Sequence, residues 1–202
     1  MGRIPLWPKI AFAVWVLVWL PMYWDFYGPR NFLWFCDMGN LVLAAALWRE
    51  SALLFSWQAV SVLLVQIAMT ADMACRLLIG VHPIGGTEYM CDAAHYPLHI
   101  RLLSLFHVVT PPLLVWGVVR LGYDRRAFIV QTATACAVLP VCFLFTPPEC
   151  DINWVFGPFD RPQTAVAPWL WLAGCMIGYP LVLYLPTHLA LSRWSHPSEP
   201  RR

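Results

Sequence analysis

Between Ser51 and Ala71 the chain reads SALLFSWQAVSVLLVQIAMTA, without one Asp, Glu, Lys or Arg. A helix needs about 20 mainly apolar residues to cross a bilayer, and this stretch supplies them. Four others lack charge in the same way: Ile10–Trp24, Leu102–Val119, Ala127–Pro148 and Pro162–Ser192. A sixth, Asn31–Trp48, is interrupted by Asp37 alone. The expectation is an all-α, polytopic membrane protein: one six-helix bundle over residues 1–202. Its helices fall near Lys9–Trp24, Phe32–Trp48, Ser51–Leu78, Ile100–Leu121, Arg126–Thr146 and Ala167–Leu191.

Composition agrees. Of 202 residues, 60% are hydrophobic and 12% charged, against about 45–50% and about 25% in typical globular domains. A soluble domain of this size leaves roughly a third of its unfolded surface wet, too much to hide such a composition. The scarcity of charge excludes disorder. A net charge of +2, with no basic run longer than Arg125-Arg126, argues against nucleic-acid binding. Bulky Pro21-Met22-Tyr23-Trp24 follows the first apolar run where a signal peptide would carry small residues, so that run reads as an uncleaved anchor.

Six crossings place both termini on one side, and basic residues choose it. The termini and the turns near Arg49 and Gly122 carry Arg3, Lys9, Arg49, Arg120, Arg125, Arg126, Arg193, Arg201 and Arg202. The opposite side carries Arg30, Arg76, Arg101 and Arg161, and collects the acids Asp25, Asp72, Glu88, Asp92, Glu149, Asp151 and Asp160. The positive-inside rule then makes both termini cytoplasmic, in a plasma membrane read as the bacterial inner membrane. Trp and Tyr near the helix ends read as interfacial anchors.

Polar side chains in hydrocarbon need a partner or water, so they mark sites. Asp37 and Asn40 lie one turn apart in the second helix; Gln58, Gln66, Asp72 and Arg76 follow in the third; Arg101 and His107 lie in the fourth. By depth, Asp37, Asp72, Arg76, Arg101 and His107 fall in the outer half, as a pocket open to the outside between helices two, three and four. The i, i+4 spacing of Asp72 and Arg76 also fits simple mutual neutralisation. Gln58 and Gln66 also fit simple helix bridging, and His188 an interfacial position. Of seven cysteines, Cys91 and Cys150 fall on the two long outer loops, where a disulfide between them fits an oxidising compartment. Cys91, His95 and His99 recur every fourth residue, as metal ligands on a helix would, but Pro97 opposes a helix there. No metal or cofactor is assigned.

At Asn31-Phe32-Leu33-Trp34-Phe35-Cys36-Asp37 and Phe106-His107-Val108-Val109-Thr110-Pro111, the chain distantly resembles the bacterial YwaF-type integral membrane proteins. More remotely, it resembles the androgen-induced membrane hydrolases. The resemblance implies six helices and an early-helix nucleophile facing a His on a later helix. His107 takes the place of that His, Cys36 falls where YwaF-like proteins carry a Cys, and Asn153-Trp154 looks like their Asn-Tyr pair. The androgen-induced hydrolases use a Thr where this chain has Trp34.

Three functions follow as expectations. The first is an intramembrane lipid acyl hydrolase or acyltransferase. Cys36 would be its nucleophile and His107 its base and acid; Asp37 or Asp72 would orient the ring, and Arg76 or Arg101 would hold an oxyanion or lipid phosphate. Neighbouring residues on a helix diverge by about 100°, so Cys36 and Asp37 cannot both face His107. The second is a small-molecule carrier or binding protein using Asp37, Asn40, Gln66, Asp72, Arg76, Arg101, His107 and Asn153 as ligands, with Pro21, Pro111, Pro112, Pro140, Pro180 and Pro186 supplying kinks for a gated path. The third is a scaffold whose apolar surface meets another membrane protein. Membrane lipid is the partner common to all three.

Overall fold

The computed structural model describes residues 3–159 and 161–194. Asp160, Arg201 and Arg202, used above to orient the chain, lie outside them. Every regular element among the described residues is helical. Five helical segments are long and apolar enough to cross a membrane: Leu6–Tyr27, Ala52–Ile79, Leu98–Leu121, Ala127–Phe145 and Pro168–Trp194. The exposed side chains on them are those of a lipid-facing surface, with Leu17 73%, Ile129 71% and Leu144 70% exposed. The chain thus has the build of a multi-pass membrane protein.

The second expected helix is shorter than its apolar stretch. After α1 (Leu6–Tyr27), Gly28 takes φ +78° and Pro29–Leu33 form a 3-10 turn. Only Phe35–Arg49 (α2, 15 residues) is α-helical, about 22 Å at 1.5 Å per residue against a hydrocarbon core of about 30 Å. The cause is local: Gly28 and Pro29 end one helix and force a turn before the next can start.

Helix α3 (Ala52–Ile79, 28 residues) starts on the Ser51 hydroxyl, which accepts from the Leu54 amide at 3.3 Å, a standard N-cap. It stops at Gly80, whose left-handed φ of +80° seals the last turn. At about 42 Å it is longer than a hydrocarbon core of about 30 Å. It is also the central helix, packing on α2, on the Leu98–Leu121 and Ala127–Phe145 segments and on the last span. The fourth expected helix is divided into α4 (Leu98–Leu103) and α5 (Phe106–Leu121). At the break, Ser104 bonds back to the Ile100 carbonyl (2.9 Å) and meets the Tyr23 hydroxyl (2.5 Å).

Two proline effects shape the interior. Pro111 has no N–H for the carbonyl of His107, four residues earlier; the Thr70 hydroxyl of α3 lies 3.2 Å from that carbonyl and shares its one proton between it and the nearer Gln66 carbonyl at 2.7 Å. A neighbouring helix thus partly re-satisfies a group the proline freed. After α6 (Ala127–Phe145), the last span runs as α7 (Pro168–Gly178), a π-helical turn over Tyr179–Tyr184 that contains Pro180, and α8 (Leu185–Trp194). Such turns widen a helix locally and recur at functional sites.

The chain's turns meet at one end of the bundle. Lys9 pairs with Glu50 at 2.6 Å, Arg120 Nε donates to the Arg3 carbonyl at 2.9 Å, and the Asp124 amide donates to the Ser56 hydroxyl at 2.9 Å. Tyr123 and His188 join there at 2.7 Å, and Trp57 Nε1 donates to Gln131 at 2.8 Å, bridging α3 and α6 as glutamines in membranes do. The Lys9 ammonium holds the Glu50 carboxyl below its ordinary pKa. The folded chain keeps that charge to lower pH than the unfolded chain does. The pair therefore contributes fully above the usual glutamate range, and its contribution disappears as pH falls through the lowered value. Stability measured from pH 7 to pH 3 should fall less for Glu50→Gln than for the parent; parallel curves would contradict this.

Candidate functional site

The opposite end of the bundle holds a cavity of about 550 Å³, inside the usual range of small-molecule pockets. Its rim is wet: Arg30, Glu149 and Cys150 line it and are exposed. Its depth is not. Asp37 of α2, Gln66 of α3 and His107 of α5 line it at 3%, 1% and 5% exposure. Between Ser61 and Met69, also lining residues, it follows α3 for about 12 Å.

The three deep polar groups share a deficit of partners. Asn31 Nδ2 donates to one Asp37 oxygen at 2.5 Å, while the other, Oδ1, has no hydrogen-bond partner among the described residues. Neither amide atom of Gln66 has one, nor does His107 Nδ1. Buried polar atoms are nearly always hydrogen-bonded, and an unpaired one costs about 1–3 kcal/mol. Several around one void mark a place shaped for a guest.

Cys36 lines the same cavity. No hydrogen bond joins its thiol to His107, whose Nδ1 stands unpartnered. Asn153 also lines it, but its amide is already engaged. Its Oδ1 accepts from the Phe35 amide (3.0 Å), and its Nδ2 donates to the Leu33 carbonyl (2.8 Å). Its own carbonyl accepts from Tyr179 at 2.7 Å. Asn153 therefore fastens the loop after α6 to the first turn of α2, just before Cys36 and Asp37. It holds φ +55°, which asparagine tolerates better than most residues. Asn153→Ala should cost about 2–4 kcal/mol, since it orphans a buried helix-start amide and leaves a left-handed alanine. Chemical denaturation of the purified protein checks this; an unchanged midpoint would contradict the role.

The other expected ligands lie elsewhere. Asp72 is fully buried but does not pair with Arg76. Its carboxylate accepts from the amides of Ile84 (2.8 Å) and Gly85 (3.1 Å), meets His82 Nδ1 at 2.8 Å, and takes the Thr87 hydroxyl. It pins the loop after α3. Arg76 donates to the Gly80 carbonyl and is exposed. Asn40 is buried, with both amide atoms unpartnered, but lies outside the cavity lining, as does Arg101, whose Nε is buried and unpartnered. The pocket is thus not confined to helices two, three and four: α1, the loops after α3 and α6 and the last span complete it, and Asp72, Arg76 and Arg101 do not line it.

Cys91 and Cys150 are both free thiols and exposed, so the expected disulfide is not formed. Residues 91–96 are turns, not one helical face, and among the described residues no group of three His, Cys, Asp or Glu side chains could hold a metal ion. His95 instead pairs with Asp92 at 2.7 Å, which holds that carboxyl below its usual pKa.

The aromatic wall is the part that sequence reading missed. Tyr23, Tyr27, Tyr89 and Tyr96 line the cavity, with ring centroids 5.1 Å apart for Tyr23–Tyr27, 6.4 Å for Tyr27–Tyr96 and 5.7 Å for Tyr89–Tyr96. The π-helical turn adds Tyr179, Leu183 and Tyr184. Burial beside Tyr23 and Tyr27 pushes the Tyr89 phenol well above its ordinary pKa, so it stays a hydrogen-bond donor. The one available signal was the i, i+4 spacing of Trp19, Tyr23 and Tyr27, which puts three rings on one face of α1.

No protein-family model, curated protein or solved structure matches the chain. The site's chemistry is therefore argued from its own residues.

Proposed function

We propose that the chain is a six-crossing protein of a bacterial inner membrane, with cytoplasmic termini and an outward-facing pocket that binds a small ligand, as a binding protein or carrier does. One observation carries this: Asp37, Gln66 and His107, from three different helices, surround one cavity with buried polar atoms unpartnered. For the sixth crossing, Pro29–Leu33 and α2 together return the chain from the cavity end to the Lys9–Glu50 end. For the orientation, the basic residues gather at that second end.

Orientation and function are tested separately. In intact cells a membrane-impermeant maleimide should label Cys150 and Cys91, both exposed, and Cys150→Ser should remove part of the signal. Labelling confined to inverted vesicles would reverse the orientation. Solute uptake or binding by the reconstituted protein should be lost on Asp37→Asn. A broad solute panel with no binding or uptake would overturn the pocket reading.

A second reading, a lipid acyl hydrolase or acyltransferase, rests on Cys36 and His107 lining the same cavity. Cys36 would attack the ester carbonyl while His107 takes the thiol proton and returns it to the leaving alcohol. Cys36→Ala and His107→Ala should each abolish lipid-ester turnover; turnover equal to the parent in either would end this reading.

A further inference from the structure

We infer that the ligand carries a substituted ammonium group, seated between Asp37 and the tyrosine wall. The inference rests on reading the cavity as a binding pocket, and names what the pocket recognises.

Charge is the first argument. The lining contains two carboxyl groups, Asp37 and Glu149, against one guanidinium, Arg30, and one imidazole, His107. Arg30 and Glu149 are at the exposed rim, whereas Asp37 is 3% exposed. Among the described residues no ion pair reaches Asp37, and its one side-chain partner is the neutral Asn31 amide. A buried carboxylate without a counter-charge costs several kcal/mol, a cost that a lone carboxyl avoids by keeping its proton. A cationic guest supplies that charge from outside.

Ring geometry is the second argument. Asp37 lines the same cavity as Tyr23 and Tyr27, so the lone carboxyl and the wall those rings build share one volume. Tyr27 packs tilted against Tyr96, and Tyr96 meets Tyr89 edge-to-face, so rings of differing tilt border one volume. Aromatic faces attract a cation within about 6 Å of the ring centre, and clusters of them recognise alkylated ammonium groups. A strongly hydrated ion would be left short of oxygen ligands here; an alkylated ammonium loses little water and gains contact with every ring.

The remaining polar atoms limit the rest of the ligand. Gln66 offers an unpartnered acceptor and an unpartnered donor, and His107 Nδ1 one more site. An ammonium compound with a hydroxyl, ester or phosphate oxygen a few bonds away would use both ends. Such a group arrives either on a free solute or on a phospholipid headgroup.

The experiment uses the full chain in detergent and in nanodiscs. Isothermal titration compares choline with 3,3-dimethylbutan-1-ol, in which carbon replaces the charged nitrogen at nearly the same shape. Choline should bind at least tenfold more tightly. Asp37→Asn and, independently, Tyr27→Leu should each remove that preference; Tyr27→Leu covers the case in which Asp37→Asn fails to fold. If the two compounds bind equally, the pocket stands and the ammonium inference falls. Thermal protection then distinguishes the sources. Protection by phosphatidylcholine but not phosphatidylglycerol nanodiscs, without binding of free choline, assigns the ammonium to a lipid headgroup and supports the inference. Equal protection by both lipids, or binding in no arm, overturns it.

Discussion

Gly117→Ala is expected to destabilise the protein by about 1–3 kcal/mol net, the range for overpacking a filled core, and to weaken ligand binding as well. A Cβ built on Gly117 lands 2.2 Å from two carbons of the Phe55 ring and 2.8 Å from a third. The ring has nowhere to move, since Phe55 is 0% exposed. Two effects oppose each other: alanine favours the helix over glycine by about 1 kcal/mol, while the clash falls at the packed contact of α3 with α5. In a bilayer no hydrophobic force presses helices together, so close approach at small residues carries the association. The clash wins.

The same interface positions His107, through the Thr70 bond to its carbonyl, so a shift of α5 displaces one wall of the pocket. Unfolding in a denaturing detergent series measures the loss. Phe55→Leu combined with Gly117→Ala should recover part of it, giving a positive coupling in a double-mutant cycle. An unchanged unfolding midpoint for Gly117→Ala would mean that the helices are not packed as described.

Long apolar stretches made five helices readable before any coordinate, because hydropathy over about 20 residues is what the bilayer itself reads. The short α2 was harder: Asn31–Trp48 is uncharged throughout but for Asp37, and only Gly28-Pro29 signals that its first turns are not α-helical. Within the site, Asp37, Gln66 and His107 were legible because each is polar in an apolar segment. Asp72 carried the same signal and was misread, because its partners His82, Ile84, Gly85 and Thr87 sit in the following loop, where no periodicity links them to it. The tyrosines were illegible for another reason. A tyrosine near a helix end has the same sequence signature whether it faces headgroups or a cavity, and only the packing of α1 against α4 and the loop after α3 separates the two.

Gln66→Met should stabilise the unliganded protein while weakening ligand binding, and the opposition of signs is the point. Gln66 is 1% exposed and both amide atoms lack a partner in the protein. Methionine has nearly the same length and flexibility, so the exchange removes a desolvated amide without opening a void. Relieving unpaired buried polar atoms is worth about 1–3 kcal/mol, and near-isosteric swaps themselves usually cost under about 1.5 kcal/mol. The helix is indifferent to the change, since methionine and glutamine have similar propensities. The bond from the Thr70 hydroxyl to the Gln66 backbone carbonyl, at 2.7 Å, is untouched by the side chain. A structural amide would behave in the other direction: removing it would orphan its partners and lower stability. Thermal unfolding with and without ligand therefore separates the roles. A raised midpoint with weakened ligand protection places the amide in the pocket's service. A lowered midpoint with protection intact would make Gln66 a packing element and deprive the pocket of one of its three defining groups. Such a trade of stability for recognition is what an evolved binding site shows when its polar groups are held ready for a guest.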